Sequence, residues 1–302
     1  MQTNQPNGQV LLHRRVSFGA TFSLTCTAPV QTFLRLRPAA SDRISDRLVV
    51  DDGSSPASWS TAIDRCAAGA TSPQFVDLVA LREGVTQVRY SGEMSINANP
   101  DPMPSDAAAP NAEELTPEGW WWLQPTRYCR PDELGPEAWA LFGSGVSRDR
   151  PATGADVRKI CAYVNQEMTF EYGSSTPLTS ATDAWSARRG VCRDYNHIAV
   201  SFCRALNIPT RYAFGYLPDI DVAPSDATMD FCAWFEVFLD GSWWTFDARV
   251  NEPRIGRIVI ARGRDAADVP MVSTLGPVVL ADFEVTAKEV TPGAFEEPQH
   301  EF

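Results

Sequence analysis

Between residue 10 and about residue 99, apolar and polar positions alternate in short runs separated by Gly, Pro, Asp and Ser clusters. That period of two predicts half-buried antiparallel strands at 17–24, 32–38, 75–79 and 86–90, and so an all-β unit. Residues 97–119 hold five prolines and no sustained period, which reads as a connection over the surface and a unit boundary. Beyond it the period changes. Val157, Ile160, Cys161 and Val164 stand at i, i+3, i+4 and i+7, the stripe of an amphipathic helix over 155–167. A second, more apolar helix is predicted from Gly190 to Leu206, stopping at Asn207-Ile208-Pro209 because proline disfavours helix in the residue before it. Strands follow at 211–216, 233–239 and 243–247, the last two joined by a hairpin turn at Asp240-Gly241-Ser242, with more at 257–261 and 278–285 and a frayed tail at 296–302. The expected organisation is an N-terminal β-rich unit (1–99), a linker and helical connection (100–150), a core of helices and strands (151–265), and C-terminal strands with a tail (266–302). No internal repeat is seen.

Composition narrows the partners. In 302 residues, 26 basic against 38 acidic side chains give a net charge of −12, which argues against a broad electrostatic grip on nucleic acid or an anionic membrane. Only Lys159 and Lys288 are lysines. The first residues carry neither a basic nor an apolar leader segment, and no run of eighteen apolar residues occurs, so a soluble, cytoplasmic protein is expected. Seven cysteines, an odd number without any C-x-x-C pair, predict reduced thiols, most of them small buried hydrophobes. Neither G-x-G-x-x-G nor G-x-x-x-x-G-K-[ST] is present, so no cofactor is expected.

One cysteine calls for a different account. In Arg188-Arg189-Gly190-Val191-Cys192-Arg193-Asp194-Tyr195, Cys192 follows a glycine at the predicted start of a helix. Unpaired backbone N–H groups, the positive end of the dipole and three nearby arginines would all favour its thiolate. At this point the chain resembles the bacterial transglutaminase-like proteins. The resemblance rests on Gly-Val-Cys-Arg-Asp, on Cys203-Arg204-Ala205-Leu206-Asn207-Ile208-Pro209-Thr210-Arg211-Tyr212 with Gly215-Tyr216-Leu217, on Asp230-Phe231-Cys232-Ala233-Trp234-Phe235-Glu236-Val237, and on Trp243-Trp244-Thr245-Phe246-Asp247. The stretch 124–129 and the return Arg254-Ile255-Gly256-Arg257 add to it. It implies an α+β fold: an N-terminal β-sandwich-like domain, and a papain-like core of helices packed on an antiparallel sheet. There a helix cysteine faces a histidine and an aspartate on adjacent strands.

Carried over residue by residue, the resemblance places Cys192 at the nucleophile and Asp247 at the acidic orienter. Cys232 stands where the family commonly has histidine, and Val250 where some relatives have another. A thiol with ordinary pKa near ~8.5 is a poor general base. His13, His197 and His300 are the only histidines. Of these, His197 follows Cys192 by five residues, about 140° round the helix, and is read as structural. Tyr172 resembles an oxyanion-side aromatic, Trp234 and Asp194 are further candidates for substrate contact, and residues 221–230 form a candidate mobile loop at the cleft. The six tryptophans at 120–122, 234, 243 and 244 are read mainly as core.

Three readings stay open. The first is a thiol enzyme, an amide synthase, cyclase or hydrolase, with a Cys192-Cys232-Asp247 site and a small-molecule, acyl or peptidyl substrate activated as a thioester. The second is a degenerate site on a binding or scaffold protein. In the third, Cys192, Cys232 and Asp247 hold a soft metal.

Overall fold

A computed structural model describes residues 13–39, 43–53, 59–64, 74–111, 113–147, 150–223 and 228–290. The N-terminal strands are β1 (His13–Cys26), β2 (Val30–Leu34), β3 (Arg43–Asp51), β4 (Trp59–Asp64), β5 (Gln74–Leu81) and β6 (Gly84–Asn97). After them come α1 (Pro117–Trp121), α2 (Pro131–Phe142), α3 (Gly154–Glu167), β7 (Thr169–Phe170), α4 (Ala181–Ala187), β8 (Arg189–Gly190) and α5 (Cys192–Ala205). The remainder is β9 (Thr210–Tyr216), β10 (Cys232–Leu239), β11 (Ser242–Phe246), β12 (Ile258–Gly263), β13 (Val272–Thr274) and β14 (Val279–Glu289). Helices α3 and α5 and strands β9, β10, β11, β12 and β14 fall within a few residues of their sequence expectation. Strands β3, β4, β7, β8 and β13 and helices α1, α2 and α4 were not individually foreseen.

Two four-stranded sheets, ordered β14-β1-β6-β3 and β13-β2-β5-β4, share one core that includes Phe22, Leu24, Leu34, Val50, Val79, Leu81 and Val88. This is the expected β-sandwich-like unit, but it is completed from the far end of the chain. Strand β14 pairs antiparallel with β1, Val16 opposite Glu289, and β13 pairs with β2. The segment 97–116 is docked rather than merely strung over the surface: Gly154 N and Ala155 N, at the start of α3, donate to Ala107 O and Ser105 O at 2.9 and 3.0 Å.

A third antiparallel sheet is ordered β11-β10-β9-β12. Its register sets Tyr212, Phe214, Tyr216 and Ile258 on the same face as Phe235, Val237 and Phe246. The first four join the core shared with the N-terminal strands and the last three the core under the helices, while the other face carries Arg211, Trp234 and Glu236. All seven residues of β9 are buried, as expected of a central strand covered on both faces. Helix α5 packs against α2, α3, α4, β9 and β10, and its residues 194–204 are buried, the polar ones among them, such as Asp194, Asn196, Ser201 and Arg204, being held by hydrogen bonds. It ends where foreseen: Asn207 turns to φ 63° and Ile208 N donates back to Cys203 O at 3.0 Å. The α+β architecture is thus helices on an antiparallel sheet beside a β-sandwich-like unit. Among the described residues no helix is long and apolar enough to cross a membrane.

Candidate active site

Cys192 is the first residue of α5, so its backbone N–H belongs to those a helix leaves without an intrahelical partner. The helix start is fixed by Asp194, whose Oδ2 accepts from Val191 N at 2.9 Å while Oδ1 accepts from Ser175 Oγ at 3.1 Å and pairs with Arg193 at 3.2 Å. Asp194 is therefore the capping carboxylate of α5 and a tie to the 171–179 loop, not a substrate contact. A buried carboxylate with three partners has no capacity turned toward a cleft.

The thiol of Cys192 is held beside the peptide group that precedes residue 232: Sγ donates to Phe231 O at 3.8 Å. Asn196, one helical turn on from Cys192, makes this placement rigid. Its Nδ2 donates to Cys192 O at 2.8 Å, to Ala233 O at 2.9 Å and, more weakly, to Asp247 Oδ1 at 3.5 Å, while Oδ1 accepts from Ala248 N at 3.1 Å. A single buried amide thus ties the helix, β10 and the end of β11 together. Cys232, the first residue of β10, is half-buried like Cys192 and donates to Asp230 O at 3.8 Å.

Asp247 is brought to the same place, but with its carboxylate occupied. Oδ1 accepts from Arg249 N at 2.9 Å and Val250 N at 3.1 Å, and Oδ2 pairs with Arg257 Nη1 at 3.0 Å. The Arg257 side chain is 4% exposed and that of Asp247 2%. Arg257 also donates to Asp101 at 2.7 Å and lies over the Trp234 ring at 5.1 Å. The aspartate therefore orients a guanidinium rather than an imidazole.

Burial pushes the Cys192 thiol above the ordinary range, with the neighbouring Cys232 the next cause and Ala233 N–H opposing it. This overturns the expectation of a thiolate formed in advance. The three arginines are engaged elsewhere: Arg188 over Trp185 at 3.5 Å, Arg189 with Glu171 at 3.6 Å, Arg193 with Ser175, Thr176 and Asp194. Cys232 is pushed up to about 11, first by burial and then by Asp247, while Arg257 and Arg249 pull it down.

The remaining candidates separate cleanly. Tyr172 is 58% exposed and close enough to both site thiols to feel their charge, so it stands at the rim. Trp234 is fully buried beneath Arg257 and cannot touch a substrate, which corrects its assignment as a contact residue. Of the other tryptophans, Trp122 is core, whereas Trp120 and Trp121 are exposed. His197 is structural: buried, stacked on Tyr128 at 5.2 Å, its Nε2 accepting from Ala266 N at 3.2 Å, and held neutral by burial. His13 lies on β1, and His300 falls outside the described residues, as do residues 224–227 of the candidate loop. No group of three His, Cys, Asp or Glu side chains among the described residues is placed to hold a metal, and Asp247 is bound to Arg257. A cavity of about 260 Å³ touches Asp247 and Arg257, with Asp101, Arg158, Cys161 and Glu252 also lining it, but neither site thiol.

Two residues of this constellation escaped the sequence reading. Asn196 was signalled by being a polar residue at i+4 from Cys192, one turn on along the same helix face. Arg257 was seen in Arg254-Ile255-Gly256-Arg257 without a role.

Comparison with known proteins bears on the same region. Residues 142–248 match the sequence profile of the transglutaminase-like superfamily. Over 151 residues the chain is 28% identical to an uncharacterised protein of Mycobacterium leprae, covering 49% of this chain and 52% of that one. It is 31% identical over 128 residues to an uncharacterised protein of Mycobacterium tuberculosis, covering 38% of this chain and 39% of that one. The chain thus spans about half the length of these curated relatives, or less. The crystal structure of a candidate cysteine protease from Cytophaga hutchinsonii superposes with a TM-score of 0.75 at 22% identity, covering 96% of this chain and 93% of that one, a likeness of fold.

Proposed function

The chain carries a transglutaminase-like core over residues 142–248, and on that premise we propose that it transfers acyl groups through Cys192. The observation that supports this reading is the clamped, half-buried thiol: Cys192 opens α5 and is pinned by Asn196 against the strand that begins with Cys232. Cys192 Sγ attacks the carbonyl carbon of an activated acyl donor, a thioester, and the new S–C bond replaces the bond to the leaving thiolate. Charge that develops on the carbonyl oxygen is met by the N–H of Cys192 at the helix start. Cys232 relays the proton from the attacking thiol to the leaving sulfur, which as a thiol is a far better leaving group than an amine and needs little help. Water or an amine then takes the acyl group, giving hydrolysis, amide synthesis or cyclisation. Tyr172 forms part of the rim that the donor crosses.

A second reading, a binding or scaffold protein with a degenerate site, is favoured by one observation: the Asp247 carboxylate is bound to Arg257 and two backbone N–H groups instead of a base. One assay decides between them. The full chain is incubated with a small acyl thioester from neutral to alkaline pH, and the acyl adduct is read by intact mass and peptide mapping. Transfer predicts an adduct on Cys192, faster at higher pH and lost in Cys192→Ala. No adduct at any pH where the fold persists leaves the scaffold reading.

A further inference from the structure

We propose that Cys192 and Cys232 form a redox pair that closes to an intramolecular disulfide, reversibly capping the site. The inference concerns the same thiols as acyl transfer but does not depend on it, since it rests on their placement. Cys192 Sγ donates to Phe231 O, the carbonyl of the peptide leading into Cys232, at 3.8 Å, and the Asn196 amide holds Cys192 O and Ala233 O within 2.9 Å of one nitrogen. Helix and strand are therefore tied at Cys192 and at the residue next to Cys232, and close approach of the two backbones is what a disulfide requires.

Access points the same way. The described free cysteines are Cys26, Cys129, Cys161, Cys192, Cys203 and Cys232, and of these only Cys192 and Cys232 are not buried. Among the described thiols, an oxidant entering from solvent meets this pair first. Cys232 is the thiol on which Arg249 and Arg257 act, so it is the first to react. With a peroxide as oxidant, the Cys232 thiolate attacks one peroxide oxygen, an S–O bond forms, the O–O bond breaks, and the departing hydroxide takes a proton to leave as water. Cys192 sulfur then attacks the sulfenic sulfur, the S–S bond forms, the S–OH bond breaks, and a second water leaves. Two thiols are oxidised and one peroxide is reduced. A small-molecule thiol returns both cysteines by exchange.

The test uses the full chain and hydrogen peroxide near stoichiometry, followed by alkylation in denaturant and mass spectrometry. Expected are the loss of two hydrogen masses, a fall from seven alkylatable thiols to five, one cross-linked peptide joining Cys192 to Cys232, and full recovery with dithiothreitol. Cys192→Ser and Cys232→Ser should each abolish the cross-link and accumulate sulfenic or sulfinic acid on the remaining thiol. A cross-link joining other cysteines, or sulfinic acid on one site thiol while the other stays reduced in the unmodified chain, overturns the proposal. Because the readout is a bond and not turnover, its failure leaves acyl transfer to be judged by the thioester assay alone.

Discussion

At the scale of single residues, burial and charge decide what the site thiols can do. A thiolate, not a thiol, is the nucleophile, and both site thiols are shifted upward by burial. Their alkylation should therefore rise through the alkaline range without a plateau near neutrality, and Cys232, with arginines opposing its shift, should react at lower pH than Cys192. Iodoacetamide labelling of each cysteine against pH checks this; a Cys192 rate already at its maximum at pH 7 would refute it. The sign for stability follows from the same shifts. Thiols held neutral by the fold stabilise it fully below the unfolded-state value near ~8.5, and that contribution is lost as pH rises above it. Asp247 yields a second prediction. It shares the buried Arg257 guanidinium with Asp101, so Asp247→Ala should leave Arg257 with Asp101 as its remaining counter-charge and destabilise the fold by up to roughly 3–5 kcal/mol, whereas adding Arg257→Met should restore part of that. Urea denaturation of the two single variants and the double variant measures the coupling, and additive losses would show that the pair is not a unit.

At the scale of elements, pattern was legible where one face is buried and faint where pairing is long-range. Helix α3 was readable because Val157, Ile160, Cys161 and Val164 are its buried stripe. Helix α5 and its cysteine were readable from the glycine before it and the Asn-Ile-Pro stop after it. Strand β13, three half-buried residues at a sheet edge, carries no period to read. The site divided in the same way. Positions 192, 232 and 247 could be read as a linear motif, but the occupancy of Asp247 depends on Arg257 arriving from the next strand, and the fate of the three arginines depends on acids at 171 and 194 and the Trp185 ring. Such pairings are settled by tertiary packing, which local sequence does not encode. Gly215 gives a test at this scale. It sits where β12 bulges against β9, and a Cβ there would lie 1.9 Å from Ile258 O, a backbone atom that cannot swing aside. Gly215→Ala should cost at least about 1–3 kcal/mol by overpacking. An unchanged denaturation midpoint would mean that the bulge gives way freely.

At the scale of the whole molecule, one hydrophobic core runs from the N-terminal strands into the central sheet, joining Phe18 and Tyr90 to Tyr216 and Ile258. The helices form a second core on the same sheet, over Phe235, Val237 and Phe246. The site lies where β9 and β10 serve both cores, so damage to the sandwich should reach it. Deleting residues 278–302 removes β14 and leaves β1 with an unpaired edge, a template for association with other chains. The truncated chain should melt at lower temperature and elute as aggregate in size-exclusion chromatography; a monomer with unchanged melting would show that β14 is dispensable. The β1–β14 pairing also sets a timetable for synthesis. Strand β1 waits for β14, whose start lies about 253 residues further on, for about 13–50 seconds at ~5–20 residues per second. Through that interval the nascent sandwich presents an open edge, and its protection falls to chaperones.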